Sequence, residues 1–142
     1  MDSRFIPLPN AVAATILKKM KDGALISVVD DDVSSRESLP DLLQMLGYTA
    51  IPFPSAEDFL GSDALADTEC LILDVSMPGM SGPELQSELS RRGLEIPIIF
   101  ITADRDRGLR DDLLARGAVE CLFKPFSERD LRSALDRVVG RT

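Results

Sequence analysis

Five short apolar segments, each separated from the next by a segment of helical periodicity, constrain the fold of this chain most. Each is four or five residues long, and none alternates strictly between apolar and polar residues: Leu25–Val29, Thr49–Phe53, Cys70–Leu73, Ile98–Ile101 and Val119–Phe123. Burial on both faces explains this pattern, and the strands of parallel sheets are buried on both faces. Strands and helices that alternate in this way predict a doubly wound α/β fold with a five-stranded parallel sheet.

The segments between these strands predict five helices. Four leucines between residues 39 and 46 mark the first, a short second helix follows Ser55, and the last follows Ser127. The third and fourth span about 82–92 and 107–116. Pro40 lies inside the first helix, where a proline costs on the order of 3 kcal/mol. We expect a kink there and not a break, because the leucine spacing resumes immediately.

Charge and composition exclude several classes of protein. The net charge is −8, and no basic stripe interrupts the acidic surface, so we expect no binding of nucleic acid by this chain. No apolar run approaches the roughly 20 residues of a membrane helix. The apolar stretch Ala11–Leu17 lacks the cleavage site of a signal peptide, which predicts a cytoplasmic protein without membrane contact. The chain contains no histidine, which excludes histidine metal ligands.

Residues 1–24 differ from the rest and are interpreted as an N-terminal extension to a domain of residues 25–142. A short helix is predicted from Asn10 to about Met20, with Val12, Ile16 and Leu17 on its apolar stripe. Isolated helices of this length are marginal in water, so this helix must dock on something. It either covers its own domain or forms a homodimer contact, and the sequence leaves both open.

Polar residues stand where the predicted strands end. The carboxyl ends of parallel strands lie at one edge of the sheet, where ligands bind, so these residues should converge. They are Asp30, Asp31 and Asp32 after the first strand, Asp74 after the third, Thr102 after the fourth and Lys124 after the fifth. Clustered carboxylates raise one another's pKa unless a cation offsets them, and hard oxygen ligands favour Mg²⁺. With an added ammonium and hydroxyl group, the cluster predicts phosphoryl transfer to a carboxylate nucleophile.

These motifs identify a family resemblance. From Leu25 to about Val139 the chain resembles the receiver domains of two-component response regulators, particularly the nitrogen-fixation regulator group. The matching stretches are 28–32 (VVDDD), 73–82 (LDVSMPGMSG), 101–103 (ITA), 117–118 (GA) and 124–126 (KPF). The resemblance implies a flavodoxin-like fold with strand order 2-1-3-4-5 and helices on both faces of the sheet.

The resemblance also implies what each site residue does. Asp74 would be the phosphoacceptor, and Mg²⁺ would be held by Asp30, Asp31, Asp74 and the backbone carbonyl of Ser76. Asp32 matches the family's frequent third acid and is given no metal bond. The phosphoryl group would come from a sensor histidine kinase or a His-phosphotransfer protein. The chain would then be a signalling switch and not an enzyme, apart from its own uptake and loss of the phosphoryl group.

Two further residues complete the implied site, and one departs from the family. Thr102 would hydrogen-bond the phosphoryl group, and Lys124 would pair with one of its oxygens. The family usually has an aromatic ring three residues before the lysine, where this chain has Cys121, which is too small to act as a conformational lever. In the implied strand order, Cys70 and Cys121 lie two strands apart, about 10 Å, so both should be free thiols.

Two other functions remain as alternatives. A haloacid-dehalogenase-type phosphohydrolase would use Asp30 as its nucleophile, with Thr102 and Lys124 in its later motifs. That family also needs an acidic pair after the lysine, and the candidates Asp130 and Asp136 lie on a predicted helix. The third possibility is a pseudo-receiver that binds a partner without being phosphorylated, which the complete set of site residues disfavours.

Overall fold

A computed structural model describes residues 24–140 of the chain, with side chains to Val138. Five strands alternate with five α-helices, and a short 3₁₀ turn, Asp63–Ala66, precedes the third strand. The strands are β1 (Leu25–Val29), β2 (Thr49–Phe53), β3 (Cys70–Asp74), β4 (Ile98–Thr102) and β5 (Glu120–Phe123). The helices are α1 (Val33–Met45), α2 (Ala56–Leu60), α3 (Gly82–Arg91), α4 (Arg107–Ala115) and α5 (Glu128–Gly140).

All strand pairs are parallel, and the strand order β2-β1-β3-β4-β5 confirms the predicted doubly wound topology. The strand bounds differ from the apolar segments by one residue in three places. β3 includes Asp74 and β4 includes Thr102, because the sheet pairing continues through Asp74 with Ile101 and through Thr102 with Phe123. β5 begins at Glu120, one residue later than expected.

The sheet separates two apolar cores. One lies under α1 and α5 and includes Ile26, Leu43 and Leu135, which are almost fully buried. The other lies under α2, α3 and α4. Cys70 belongs to the first core and Cys121 to the second, so the sheet itself separates the two thiols, and both are free.

Side-chain caps define where the helices begin. Ser81 accepts from the backbone N–H of Glu84, whose carboxylate accepts from the N–H of Ser81, which makes a complete capping box for α3. Ser55 caps α2 in a similar way, since its hydroxyl accepts from the N–H of Asp58. α1 continues through the buried Pro40 without a break, as predicted, and the kink expected there stays a prediction.

The helix predicted over residues 10–20 and the boundary near residue 24 lie outside the described residues and stay predictions. Within residues 24–140, no helix is both long enough and apolar enough to cross a membrane.

Candidate functional site

Three aspartates meet at the carboxyl edge of the sheet. One oxygen each from Asp30, Asp31 and Asp74 lies within 4.8 Å of the other two. Asp30 and Asp74 are buried, and Asp31 is exposed at the mouth of the site. β1 and β3 are adjacent in the sheet, so residues 44 positions apart in the chain are brought together by strand pairing, as predicted.

Lys124 reaches this cluster from the end of β5. Its Nζ lies 2.8 Å from Oδ2 of Asp30, whose side chain has no exposed surface. Burial alone would raise the pKa of Asp30, but hydrogen bonds from Lys124 and from the N–H of Asp32 hold that pKa below its ordinary value. Asp30 is therefore a buried carboxylate that stays ionised because the ammonium offsets its charge.

Asp74 has the opposite electrostatic environment. Burial, followed by the charge of Asp30, raises the pKa of the Asp74 carboxyl to about 7. Lys124 opposes this shift only in part, since its hydrogen bond goes to Asp30. Near neutral pH, the Asp74 carboxyl is therefore only partly ionised, and an additional positive charge nearby would favour its ionised form.

Thr102 and Lys124 are held together by the backbone. The N–H of Lys124 donates to the carbonyl oxygen of Thr102 at 2.7 Å, which connects the ends of β4 and β5. Thr102 is buried, and its hydroxyl accepts from the N–H of Asp104 at 3.0 Å. That bond leaves the hydroxyl proton free to be donated to another acceptor.

Asp32 has a structural role next to the site. Its carboxylate caps α1 by accepting from the N–H of Ser34 and from the hydroxyl of Ser35. Arg36, in the first turn of α1, donates to the carbonyl oxygens of Asp30 and Asp31. These bonds fix the backbone that carries two of the three clustered aspartates, and the Asp32 carboxylate is not part of the cluster.

The loop after β3 is held by contacts that the sequence did not indicate. A Cβ atom at Gly82 would lie 2.4 Å from the carbonyl oxygen of Asp74, so only glycine allows α3 to start against this backbone. Two residues before Gly82, the carboxylate of Glu57 on α2 accepts from the N–H of Met80 at 3.1 Å. Ser76 is exposed in this loop, and the metal-binding role expected for its carbonyl stays a prediction.

A third buried carboxylate, also missed in the sequence analysis, lies on β5. Glu120 is 7% exposed and forms ion pairs with Arg110 of α4, at 2.6 Å, and with Arg137 of α5. Burial opposes ionisation, but the N–H of Cys121 and the two arginines hold the pKa of Glu120 below its ordinary value. The cluster connects two helices to the last strand. Glu120 lies inside an otherwise apolar segment of the sequence, so it was not identified from the sequence as a functional or structural charge.

The ligand atoms fit a hard divalent cation. The clustered side chains offer only carboxylate oxygens, and Mg²⁺ is held in proteins by one or two carboxylates together with carbonyl groups and water. The acidic pair that a hydrolase would need is not part of the cluster, since its candidates Asp130 and Asp136 lie on α5.

Comparisons with known proteins agree with this geometry. Residues 26–136 match the family described as the response regulator receiver domain. The chain is 43% identical over 119 residues to nodulation protein W of Bradyrhizobium diazoefficiens, a match covering 84% of this chain and 51% of that protein. It is 36% identical over 123 residues to transcriptional regulatory protein FixJ of Azorhizobium caulinodans, covering 87% and 58%.

A solved structure shows the same fold. The crystal structure of FixJ-N is 32% identical, with a TM-score of 0.74, and the match covers 83% of this chain and 94% of that one. The chain spans between half and three fifths of the length of the two relatives named above. The resemblance deduced from the sequence motifs is thereby confirmed. The chain belongs to the family of response regulator receiver domains, the phosphoacceptor modules of two-component signalling.

Proposed function

We propose that this domain is a cytoplasmic switch that accepts a phosphoryl group on Asp74 from a sensor histidine kinase or a His-phosphotransfer protein. One observation carries the proposal: Asp74 is a buried carboxyl with a pKa raised to about 7, beside two other aspartates and a lysine. The relatives support a regulatory output, since FixJ is named a transcriptional regulatory protein.

In this proposal the nucleophile is an Oδ atom of Asp74. It attacks the phosphorus of a phosphohistidine, the P–N bond breaks, and the imidazole leaves with the electron pair and takes up a proton. Asp30, Asp31, Asp74 and the carbonyl of Ser76 would hold Mg²⁺. When bound, the ion supplies positive charge that favours the ionised nucleophile and stabilises the equatorial oxygens of the transferring group.

Lys124 and Thr102 stabilise the product. The ammonium of Lys124 bonds Asp30 before the reaction and is within reach of the added negative charge, so it turns toward a phosphoryl oxygen. The Thr102 hydroxyl donates to another oxygen. Because the two residues share a backbone hydrogen bond, their movements are coupled through the ends of β4 and β5. Cys121 does not supply the aromatic lever usual in the family.

Phosphoryl uptake tests this proposal. Acetyl phosphate and Mg²⁺ should add one phosphoryl group to the full chain, detected by intact mass, and EDTA should prevent it. Asp74→Asn should abolish uptake, whereas Asp112→Asn, a change at an exposed site on α4, should not alter it. Undiminished uptake by the Asp74→Asn protein would overturn the proposal, and no uptake by wild type would favour the pseudo-receiver.

A further inference from the structure

A cavity lies at the edge of the sheet opposite the aspartates, where the strands begin. It measures about 280 Å³ and is lined mainly by apolar side chains from β1 and α5, among them Ile26, Leu135 and Val138. Tyr48 and Cys70 also line it. The volume is at the lower limit of small-molecule sites, so apolar side chains of a protein segment fit it better than a ligand does.

The polar part of this cavity is acidic. Glu69 and Glu95 line it, and no basic residue does so within residues 24–138. The Oε2 atom of Glu69 is buried and has no hydrogen-bond partner in the described part of the chain. A buried carboxylate oxygen without a partner is costly, so the cavity suits an occupant that is apolar and also carries a positive charge.

Residues 10–20 have these two properties. The sequence predicts a helix whose stripe contains Val12, Ile16 and Leu17, followed by Lys18 and Lys19. Residues 1–23 carry four basic and two acidic side chains, whereas the chain as a whole carries 16 basic and 24 acidic ones. The segment is therefore complementary in charge to the domain that follows it.

The N-terminal segment is also joined to the domain at this cavity. Ala24, the first described residue, lines it, and only residues 21–23 separate Ala24 from the predicted helix. Three residues span at most about 10 Å, which keeps the segment close to the cavity and gives it a high effective concentration there.

We propose that residues 10–20 dock in this cavity of their own domain. In this arrangement Ile16 and Leu17 pack against the apolar wall, and the ammonium groups of Lys18 and Lys19 pair with Glu69 and Glu95. The segment covers the end of the sheet that is remote from the phosphorylation site, and phosphoryl uptake is independent of it.

The chain contains its own probes for this contact. Tyr48 is the only tyrosine, there is no tryptophan, and Tyr48 lines the cavity, so intrinsic fluorescence reports on this surface alone. Cys70 lines it as well, while Cys121 is equally buried, at 3% exposure, in the other core. The two thiols therefore provide a probe and an internal control.

The experiment uses the full chain with Ile16→Ser and Leu17→Ser combined. We expect stronger quenching of Tyr48 fluorescence by acrylamide and alkylation of Cys70 about tenfold faster, because losing two apolar anchors weakens docking by at least that factor. Alkylation of Cys121 should not change. Ala11→Ser is the matched control, since residue 11 lies on the far side of the predicted helix from both Ile16 and Leu17.

Charge reversal provides an independent variant. Lys18→Glu with Lys19→Glu should also expose Tyr48, and adding Glu69→Lys with Glu95→Lys should restore its protection. Unchanged quenching and alkylation in both sets of variants would overturn the proposal. Protection that is lost on dilution would overturn it as well, because the occupant would then be a second copy of the chain.

Discussion

Replacing Asp74 by Asn should stabilise the domain at alkaline pH when no divalent cation is present. Burial and the neighbouring Asp30 raise the pKa of Asp74 to about 7 in the folded state, against about 3.9 in an unfolded chain. The folded state binds this proton more tightly, so the free energy of unfolding falls as the pH rises from about 4 to above 7. The whole shift corresponds to about 4 kcal/mol, since one pKa unit is about 1.4 kcal/mol.

Asparagine does not titrate, so its advantage over Asp74 should grow by about 3 kcal/mol between about pH 5 and about pH 8. Urea unfolding of both proteins in EDTA across this range measures the difference. Asp112→Asn, at an exposed position, should show no such growth. If wild type and the Asp74→Asn protein have the same pH dependence, the carboxyl is not held in the electrostatic environment described above.

Three further substitutions test individual contacts. Lys124→Met should destabilise the domain by about 3 kcal/mol, because it leaves the buried charge of Asp30 unpaired, and urea unfolding should show a smaller loss when Asp30 is also Asn. Gly82→Ala should cost about 2 kcal/mol and slow phosphorylation, since its Cβ would overlap backbone, whereas Gly61→Ala meets nothing closer than 3.6 Å and should do neither. Glu120→Gln should lower the free energy of unfolding by about 2 kcal/mol by weakening two arginine pairs, and an unchanged value would show that the pairs contribute nothing.

The fold was predictable from the alternation of strand and helix segments, and the aspartate cluster was predictable from the residues at the strand ends. Five apolar strand segments that alternate with helices predict a parallel sheet, and a parallel sheet brings its carboxyl ends to one edge, so Asp30, Asp74 and Lys124 were expected to converge. The partner of Lys124 was not predictable from that rule. The ammonium bonds Asp30 in preference to Asp74, which depends on side-chain geometry that no sequence pattern encodes.

Other contacts were hidden for specific reasons. Glu57 lies on α2, and Met80 lies 23 residues later in the loop before α3. Nothing in the sequence pattern indicates that these two residues meet. Glu120 stands inside an apolar strand, where the surrounding residues dominated the interpretation. Position 82 needs glycine because α3 starts very close to the backbone of β3. No sequence pattern encodes that distance.

The identity of the phosphorylated residue tests the central claim most directly. The chain is treated with acetyl phosphate and Mg²⁺, the acyl phosphate is trapped by borohydride reduction, and the modified residue is located by peptide mass spectrometry. We predict modification at Asp74 alone. Modification at Asp30 would contradict this account and support a hydrolase-type nucleophile at the end of β1.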